Sequence, residues 1–326
     1  GTSIRSSIRS SQIIRLRPFK MPAEAGRFPG GEQNRRWTVI GLLKWAAGYF
    51  ESHGIDAPRM TAELFLAHVL GVTRLQLYLR HDQPLSAEEL SQFKTLIRRR
   101  IRREPAAYIL GHREFWSREF HVDPNVLIPR PETEHIVEAA LDLLPKRSGE
   151  KKMRVLDLGT GSGAIIVTLA AERPGHIYVA SDICPEALRV ARANARSHQV
   201  AQAIQFFCGH WFRPVKRNPP RFDIVVSNPP YITSEELPTL QPEVAGYEPK
   251  SALDGGPDGL SAINELLDEA PYYIQRGGTL IFEIGCGQAE RVRERVAGDS
   301  RYRDIRIVRD LAGIERVAIV HAMDET

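Results

Sequence analysis

Cysteine is scarce in this chain, and its three copies exclude two classes of protein. Cys184, Cys208 and Cys286 lie far apart among the 326 residues and form no CxxC pair. Disulfide-stabilised secreted domains need several paired cysteines, and structural zinc sites need closely spaced ligands. The sequence therefore predicts neither a disulfide framework nor a metal site, and we expect reduced thiols in a cytoplasmic protein.

Long apolar runs are missing as well. No stretch approaches the roughly 18 uninterrupted apolar residues of a membrane span, and the N-terminal part lacks the apolar core of a secretory signal. Hydrophobic residues nevertheless make up 42% of the chain, which is enough for two domains with cores of ordinary size. We therefore expect a two-domain protein that does not associate with a membrane.

Residues 1–36 differ in composition from the rest of the chain. They are rich in Ser, Arg, Gly and Pro without an apolar period, which predicts a disordered tail or tag. The formal net charge is +4, but residues 1–20 hold five basic residues and no acid, so the remainder is close to neutral. Charge therefore gives little support for a nucleic-acid partner. An Arg- and Ser-rich start also resembles a mitochondrial presequence, which leaves a mitochondrial location open.

Residues 37–106 are predicted to form a small helical domain. Pro58 begins a second helix that Gly71 ends, and Ser86 with Glu89 makes a capping box for a third. The first helix is predicted from apolar residues that recur on one face, namely Val39, Leu42, Leu43, Ala46 and Phe50. The third helix has a basic face, which we interpret as solvated surface rather than a docking surface, consisting of Lys94, Arg98, Arg99, Arg102 and Arg103.

Residues 107–132 are predicted to form a β-hairpin connector, because short β-type segments there alternate with Pro124 and Pro129. In residues 133–326 helices alternate with apolar strands, which is typical of an α/β domain whose mostly parallel sheet is covered on both faces. Helices are predicted over residues 134–144, 165–172 and 186–198. Seven strands are predicted, the last two as an antiparallel hairpin, over residues 154–158, 177–181, 204–207, 222–227, 279–283, 304–308 and 317–320.

The first predicted strand of the α/β domain runs directly into a glycine loop. This loop consists of Gly159, Thr160, Gly161, Ser162 and Gly163. Alternating glycines let the backbone turn sharply and approach a ligand at the carboxyl ends of the strands. A loose dinucleotide fingerprint that ends in Ala164 also fits, so a nicotinamide cofactor stays open. Asp157, two residues before the first glycine, makes the loop more similar to motif I of S-adenosylmethionine-dependent methyltransferases.

An acid also follows the second predicted strand. Asp182 lies nineteen residues beyond Gly163. An ionised carboxylate has enough lone pairs to accept both hydroxyls of a ribose, although Asp182 can instead cap the helix that follows Pro185. In combination with the glycine loop, Asp182 predicts a cofactor that contains a nucleoside.

The most specific feature is the sequence Asn-Pro-Pro-Tyr at residues 228–231, which we call the NPPY turn. Pro229 and Pro230 lack backbone N–H groups and stiffen the turn, which leaves carbonyl oxygens facing the ligand side of the sheet. Asn228 adds a side-chain carbonyl, and the ring of Tyr231 can pack on a planar group. Two rigid acceptors suit the two hydrogens of an NH2 group, so the turn predicts methylation of a planar amide or amine nitrogen through positioning and electrostatics.

The chain resembles release factor glutamine methyltransferases of the HemK/PrmC type over about residues 37–321. An NPPY turn after motif I also occurs in adenine-N6 DNA methyltransferases, but the rest of the chain is similar to the glutamine enzymes. The segments that carry this resemblance are LIPRPETE at 127–134, ALDGGPDGL at 252–260, EIG at 283–285 and DLAG at 310–313.

The resemblance implies that S-adenosyl-L-methionine is the cofactor and that the substrate is the GGQ-motif glutamine of class-one peptide chain release factors, methylated at N5. It implies that the helical domain helps to grip the release factor. Cofactor contacts are implied for Asp157, the glycine loop, Asp182, Trp211 and Asn228, and substrate contacts for residues 228–231. Asn228, Pro229 and Tyr231 are the implied catalytic residues. Where many relatives carry an acid before the aromatic residue, this chain has His210, so an adenine contact from that position is in doubt.

Three alternatives stay open at this point. Ribosomal-protein glutamine methyltransferases share the NPPY turn and much of the catalytic domain. An adenine-N6 DNA methyltransferase is disfavoured by the near-neutral charge and by the lack of an evident target-recognition domain for a flipped base. A non-catalytic binding protein is disfavoured because the glycine loop, Asp182 and the NPPY turn are all intact. We expect a monomeric enzyme that does not bind nucleic acid stably.

Overall fold

The computed structural model describes residues 37–145, 151–215 and 221–324. The tail predicted for residues 1–36 lies outside these residues. Within the described part, no helix is long and apolar enough to cross a membrane. The chain forms a helical domain, a β-hairpin and an α/β domain, in that order.

The helical domain contains five helices. They are α1 (Val39–Ser52), α2 (Pro58–Leu70), α3 (Arg74–Leu79), α4 (Ala87–Arg100) and α5 (Ala106–Leu110). The predicted capping box of α4 is present, since Glu89 N donates to Ser86 Oγ at 3.2 Å and Ser86 N donates to Glu89 Oε2 at 2.7 Å. Phe50, Phe65 and Phe93 are fully buried where α1, α2 and α4 meet. The apolar face predicted for the first helix is buried in the structure and forms part of the core of this domain.

A β-hairpin connects the helical domain to the α/β domain. Strands β1 (His112–Phe115) and β2 (Arg118–His121) pair in antiparallel fashion around Trp116 and Ser117, whose φ angles are +52° and +53°. Two consecutive positive φ values match the right-handed twist of the strands, as in other two-residue hairpin turns. A hairpin is thus confirmed here, but residues 106–110, partly assigned to the connector from sequence, form α5 instead.

A seven-stranded sheet forms the centre of the α/β domain. Its strands are β3 (Arg154–Leu158), β4 (Ile177–Asp182), β5 (Ile204–Cys208), β6 (Phe222–Ser227), β7 (Ile274–Glu283), β8 (Tyr302–Arg309) and β9 (Glu315–Ala322). Their order across the sheet is β5-β4-β3-β6-β7-β9-β8. The first five are mutually parallel, whereas β9 is antiparallel to both β7 and β8. The predicted mostly parallel sheet with an antiparallel C-terminal hairpin is therefore confirmed.

Helices cover both faces of this sheet. The helices are α6 (Glu134–Leu143), α7 (Ala164–Glu172), α8 (Pro185–Ser197), α9 (Pro242–Tyr247), α10 (Ser261–Tyr273) and α11 (Ala289–Ala297). Val155 packs with α6 and α7, while Leu156 and Leu158 pack with α10 and α11 on the opposite face. Because side chains alternate along a strand and both faces are covered, β3 needs apolar residues on each side, which Val155, Leu156 and Leu158 provide.

The predicted elements and the observed ones agree best for the first half of the sheet. Strands β3 and β6 have the predicted bounds, but β7 begins at Ile274 rather than Thr279. The early part of β7 is irregular: Phe222 pairs with Ile274 while Ile224 pairs with Thr279, and Gly277 has a φ of +68°. Helices α5, α9, α10 and α11 were not predicted, and α3 lies within the predicted helical domain without having been assigned as a separate helix. Among them, α10 contains Pro271, a residue that usually signals a helix end.

The helical domain is anchored to the α/β domain through the last residue of α4 and the basic residues that follow it. Arg100 Nη1 donates to Glu243 Oε1 of α9 at 2.8 Å, and Arg103 Nη1 reaches the same oxygen at 3.3 Å. Tyr247 at the end of α9 donates its hydroxyl to the backbone oxygen of Arg102 at 2.7 Å. The interpretation of the basic face as solvated surface is therefore wrong for Arg103, which holds the two domains together.

Candidate active site

A cavity of about 400 Å³ lies at the carboxyl edge of the sheet, above β3, β4 and β6. The strand order reverses between β3 and β6, and open α/β sheets bind ligands at such a point. The register places Leu158 beside both Ser181 and Ser227, so the segments that follow these residues meet at one edge. Eight of the twelve predicted site residues line the cavity: Gly159, Thr160, Gly161, Ser162, Asp182, Trp211, Asn228 and Pro230.

The glycine loop forms the floor of the cavity. Gly159, Gly161 and Gly163 have φ angles of +70°, +54° and +81°, a region that disfavours any residue with a Cβ. Thr160 N donates to the backbone oxygen of Ser181 at 2.8 Å, which ties the loop to β4. A Cβ on Gly163 would lie 3.1 Å from Ala191 Cβ, so this glycine allows α7 and α8 to pack. Gly163 therefore acts in packing, while Gly159 and Gly161 face the cavity.

Asp182 ends β4 with its carboxylate held by backbone donors. Gly161 N donates to Asp182 Oδ2 at 2.8 Å, and Cys184 N donates to Oδ1 at 2.9 Å. Burial raises the pKa of Asp182, and the backbone hydrogen bonds partly offset that effect. Each oxygen keeps a lone pair for a further donor, so the carboxylate can accept two hydroxyls of a ligand in the cavity.

Asp157 lies underneath the glycine loop rather than in the cavity wall. Its side chain has no solvent exposure. Thr160 Oγ1 donates to Asp157 Oδ2 at 2.6 Å, whereas Oδ1 is buried without a hydrogen-bond partner. Burial raises the pKa of Asp157 to about 7, and the nearby charge of Asp182 acts in the same direction. Asp157 therefore supports the glycine loop from below through Thr160.

The NPPY turn stands directly beside this loop. Asn228 and Pro230 line the cavity, and Asn228 Nδ2 donates to Thr133 Oγ1 at 3.0 Å. Tyr231 donates its hydroxyl to Glu283 Oε1 at 2.8 Å, and burial raises its pKa well above the ordinary value. Neither Pro229 nor Tyr231 lines the cavity, so their predicted substrate contacts stay predictions.

Three residues that the sequence analysis did not assign to the site position the NPPY turn: Gln288 binds it, and Gly255 and Gly259 let it pack closely. Gln288 Nε2 donates to the backbone oxygens of Tyr231 at 3.0 Å and Gly259 at 3.1 Å. A Cβ on Gly255 would lie 2.7 Å from Tyr231 Cα, and one on Gly259 would lie 2.4 Å from Tyr231 O. Two segments that carry the resemblance, 252–260 and 283–285, are therefore explained by contact with this turn or its immediate support. The sequence motifs marked these segments, but they did not reveal that the segments pack against the NPPY turn.

An acid does lie beside His210, although it comes from another element. Glu265 of α10 approaches His210 Nδ1 to 3.3 Å, and both residues line the cavity next to Trp211. Trp211 itself has a φ of +45°, a strained conformation for a residue with a side chain, and its ring lies 3.5 Å from the position of a Cβ on Gly159. The sequence could not reveal Glu265, because α10 was not predicted.

The sheet order, the glycine loop under the cavity and the NPPY turn define an S-adenosylmethionine-dependent methyltransferase. The residues present fit that cofactor: Asp182 offers acceptors for a ribose, and Gly159 and Gly161 line the cavity without side chains that would fill it. Among solved structures, the hMettl16 catalytic domain superposes with a TM-score of 0.51 over 63% of this chain and 76% of its own. At 14% identity, this likeness concerns the fold alone.

Comparison of sequences identifies the family. A family model described as the PrmC N-terminal domain matches residues 41–111, and one described as the methyltransferase small domain matches residues 135–241. The release factor glutamine methyltransferase of Geobacter sulfurreducens is 42% identical over 88% of this chain and 97% of its own length. That of Chlorobaculum tepidum is 40% identical over 87% and 97%, respectively. The chain belongs to the release factor glutamine methyltransferase family.

The buried Asp157 generates a prediction about stability. Since its pKa of about 7 in the folded protein exceeds that of the unfolded chain, its contribution to the free energy of unfolding is fully present near pH 4 and is lost as pH rises through 7. Asp157→Asn removes this loss. The melting temperature of the variant minus that of the parent protein is therefore expected to increase from pH 5 to pH 8 in ligand-free samples.

Calorimetric or spectroscopic melting curves at several pH values measure this difference directly. Asp142→Asn, at an exposed position on α6, is the matched control and should show no such trend. A difference for Asp157→Asn that stays constant from pH 5 to pH 8 would contradict the raised pKa.

Proposed function

We propose that this protein transfers a methyl group from S-adenosyl-L-methionine to the side-chain amide nitrogen, N5, of the GGQ-motif glutamine in class-one peptide chain release factors. The observation that carries the proposal is the NPPY turn at the wall of the cavity, in a chain whose relatives across both domains are named release factor glutamine methyltransferases. The fold, the class of enzyme and the cofactor follow from family membership.

The chemistry asked of the protein is the activation of a weak nucleophile. An amide nitrogen is a weak nucleophile because its lone pair is delocalised into the carbonyl. The NPPY turn can hold the two N–H groups with the side-chain oxygen of Asn228 and the backbone carbonyl of Pro229. Fixed acceptors favour the positive charge that develops on nitrogen and aim it at the methyl group, which the bound cofactor supplies on a sulfonium. The bound cofactor would supply the electrophilic methyl group, and the methylated amide nitrogen would lose one proton to water.

Residues around the cavity are assigned to the cofactor as follows. Asp182 accepts the ribose hydroxyls, and the glycine loop lets the backbone approach the ligand. Trp211 lies at the adenine end, where Glu265 provides an acceptor for the exocyclic amino group in place of the acid missing at position 210. Asp157 supports the loop from below by accepting from Thr160, and Asn228 lies where cofactor and substrate meet.

The helical domain is proposed to grip the release factor. Support comes from its position, because Arg100 and Arg103 bind Glu243, which lies in the segment that follows the NPPY turn. A protein held by the helical domain is therefore presented next to the cavity. We further propose that the enzyme acts as a monomer in the cytoplasm and does not bind nucleic acid stably, in keeping with its near-neutral charge outside residues 1–20.

Transfer of labelled methyl groups tests the proposed substrate. Four substrates are compared: an intact class-one release factor, the same factor with its GGQ glutamine replaced by alanine, a mixture of ribosomal proteins and adenine-containing duplex DNA. We expect label on the intact factor alone. Label on the ribosomal proteins or on DNA in preference to the factor, or equal label on the substituted factor, would reject the assignment.

The roles of Asn228 and Asp182 predict different losses: turnover in the first case and cofactor affinity in the second. Asn228→Ala removes a contact to the developing charge, so kcat should fall about 100-fold while the cofactor dissociation constant changes little. Asp182→Ala removes an acceptor for the ribose, so cofactor binding should weaken. Calorimetric titration and steady-state kinetics of the two variants separate these effects. Unchanged turnover in the first variant, or unchanged cofactor affinity in the second, would contradict the corresponding assignment.

The gripping role of the helical domain predicts a loss that depends on substrate size. Glu243→Gln weakens the charged contact with Arg100 and Arg103, so kcat/KM for the intact release factor should fall about tenfold. Methylation of a short GGQ peptide and cofactor affinity should change much less. Glu235→Gln, at an exposed position in the same segment, is the control. Equal losses on peptide and intact factor would refute the gripping role.

A further inference from the structure

The NPPY turn rests on a buried carboxylate that the reaction itself does not use. Glu283 ends β7 and is 1% exposed. Its Oε1 accepts from the hydroxyl of Tyr231 at 2.8 Å, and its Oε2 accepts from Thr133 Oγ1 at 2.7 Å. The two donors come from distant parts of the chain, since Thr133 begins the α/β domain and Tyr231 ends the NPPY turn.

The direction of these hydrogen bonds follows from the hydroxyl donors and the ionised form of Glu283. In that form the carboxylate has no proton to donate, so Thr133 and Tyr231 both donate to it. The only proton of the Thr133 hydroxyl is then committed, and its oxygen can only accept from Asn228. The Asn228 atom 3.0 Å from Thr133 Oγ1 must therefore be the NH2 nitrogen. The side-chain oxygen of Asn228 is the atom left for a ligand.

This orientation is not fixed by shape. The oxygen and nitrogen of an asparagine amide have nearly the same size, so a rotation by half a turn would fit the same space. Rotated, Asn228 would present hydrogens to the hydrogens of the substrate NH2 group. The carbonyl of Pro229 belongs to the backbone and cannot be exchanged in this way. Of the two proposed acceptors, only Asn228 needs a partner that defines its direction.

We propose that Glu283 and Thr133 form a positioning relay that orients the Asn228 amide with its oxygen toward the substrate. The proposal rests on the function proposed above and adds the reason why the turn accepts an NH2 group rather than a carbonyl oxygen. Burial raises the pKa of Glu283, whereas the hydrogen bonds from Thr133 and Tyr231 and the charge of Arg316 oppose that rise. Maintaining the ionised carboxylate is costly, which favours a role in orientation over one in stability.

Substitutions of Thr133 test the relay with a matched pair. Thr133→Val keeps the shape of the side chain and removes the hydroxyl, whereas Thr133→Ser keeps the hydroxyl. We expect kcat on the release factor to fall at least tenfold for valine, with KM and cofactor affinity within about twofold of the parent, and to recover to within about threefold for serine. Wild-type kcat in the valine variant, or equal impairment of both variants, would overturn the relay.

A double variant tests whether Thr133 acts through Asn228. If it does, Thr133→Val should cause no further loss of kcat when Asn228 is already alanine, because the group being oriented is gone. Losses that multiply in the double variant would show that Thr133 acts independently and would contradict the proposal.

The orientation can also be observed in the unmodified protein, which avoids any variant that fails to fold. A neutron crystal structure after deuterium exchange should place the deuterons of the Asn228 amide toward Thr133 Oγ1. Deuterons on the cavity side would refute the relay. The neutron structure does not depend on the substrate, so it tests the relay alone. The methyl-transfer experiment with the release factor tests the proposed function alone. Failure of one can therefore be distinguished from failure of the other.

Discussion

A stiff NPPY turn must stand in one orientation at the edge of a parallel sheet, and much of the surrounding sequence meets that requirement. Two prolines deprive the turn of backbone donors, so it cannot be held by ordinary backbone pairing at those positions. Its support comes from side chains instead: Gln288 binds the Tyr231 carbonyl, and Glu283 binds the Tyr231 hydroxyl. Gly255 and Gly259 are glycines because the turn passes too close for a Cβ.

The same edge carries the cofactor half of the site. Leu158, Ser181 and Ser227 lie side by side at the carboxyl ends of three parallel strands, so the glycine loop, Asp182 and Asn228 meet at one edge of the sheet. Sequence patterns identify such residues well, because each follows a short apolar strand and each motif is local. The bounds of β3 and β6 could be predicted for the same reason: short buried strands leave a mostly apolar signal.

The remaining part of the site depends on contacts that no local pattern reports. Thr133 and Glu283 are 150 positions apart, and their hydrogen bond exists only after the sheet has formed. Glu265 reaches His210 from α10, a helix whose internal proline obscured its extent. The basic residues in and after α4 show the same limit, since charge alone does not distinguish a solvated arginine from Arg100 or Arg103 bound to Glu243. Family resemblance pointed to several of these segments without giving their physical roles.

The central claim is that the protein recognises a glutamine by the two hydrogens of its amide nitrogen. A crystal structure of the complex with S-adenosylhomocysteine and a release factor tests this most directly. The account predicts that the glutamine nitrogen lies within about 3.2 Å of both Asn228 Oδ1 and the Pro229 carbonyl oxygen, with the nitrogen facing the cofactor sulfur. A glutamine that presents its carbonyl oxygen to Asn228, or that lies outside the cavity, would contradict the account.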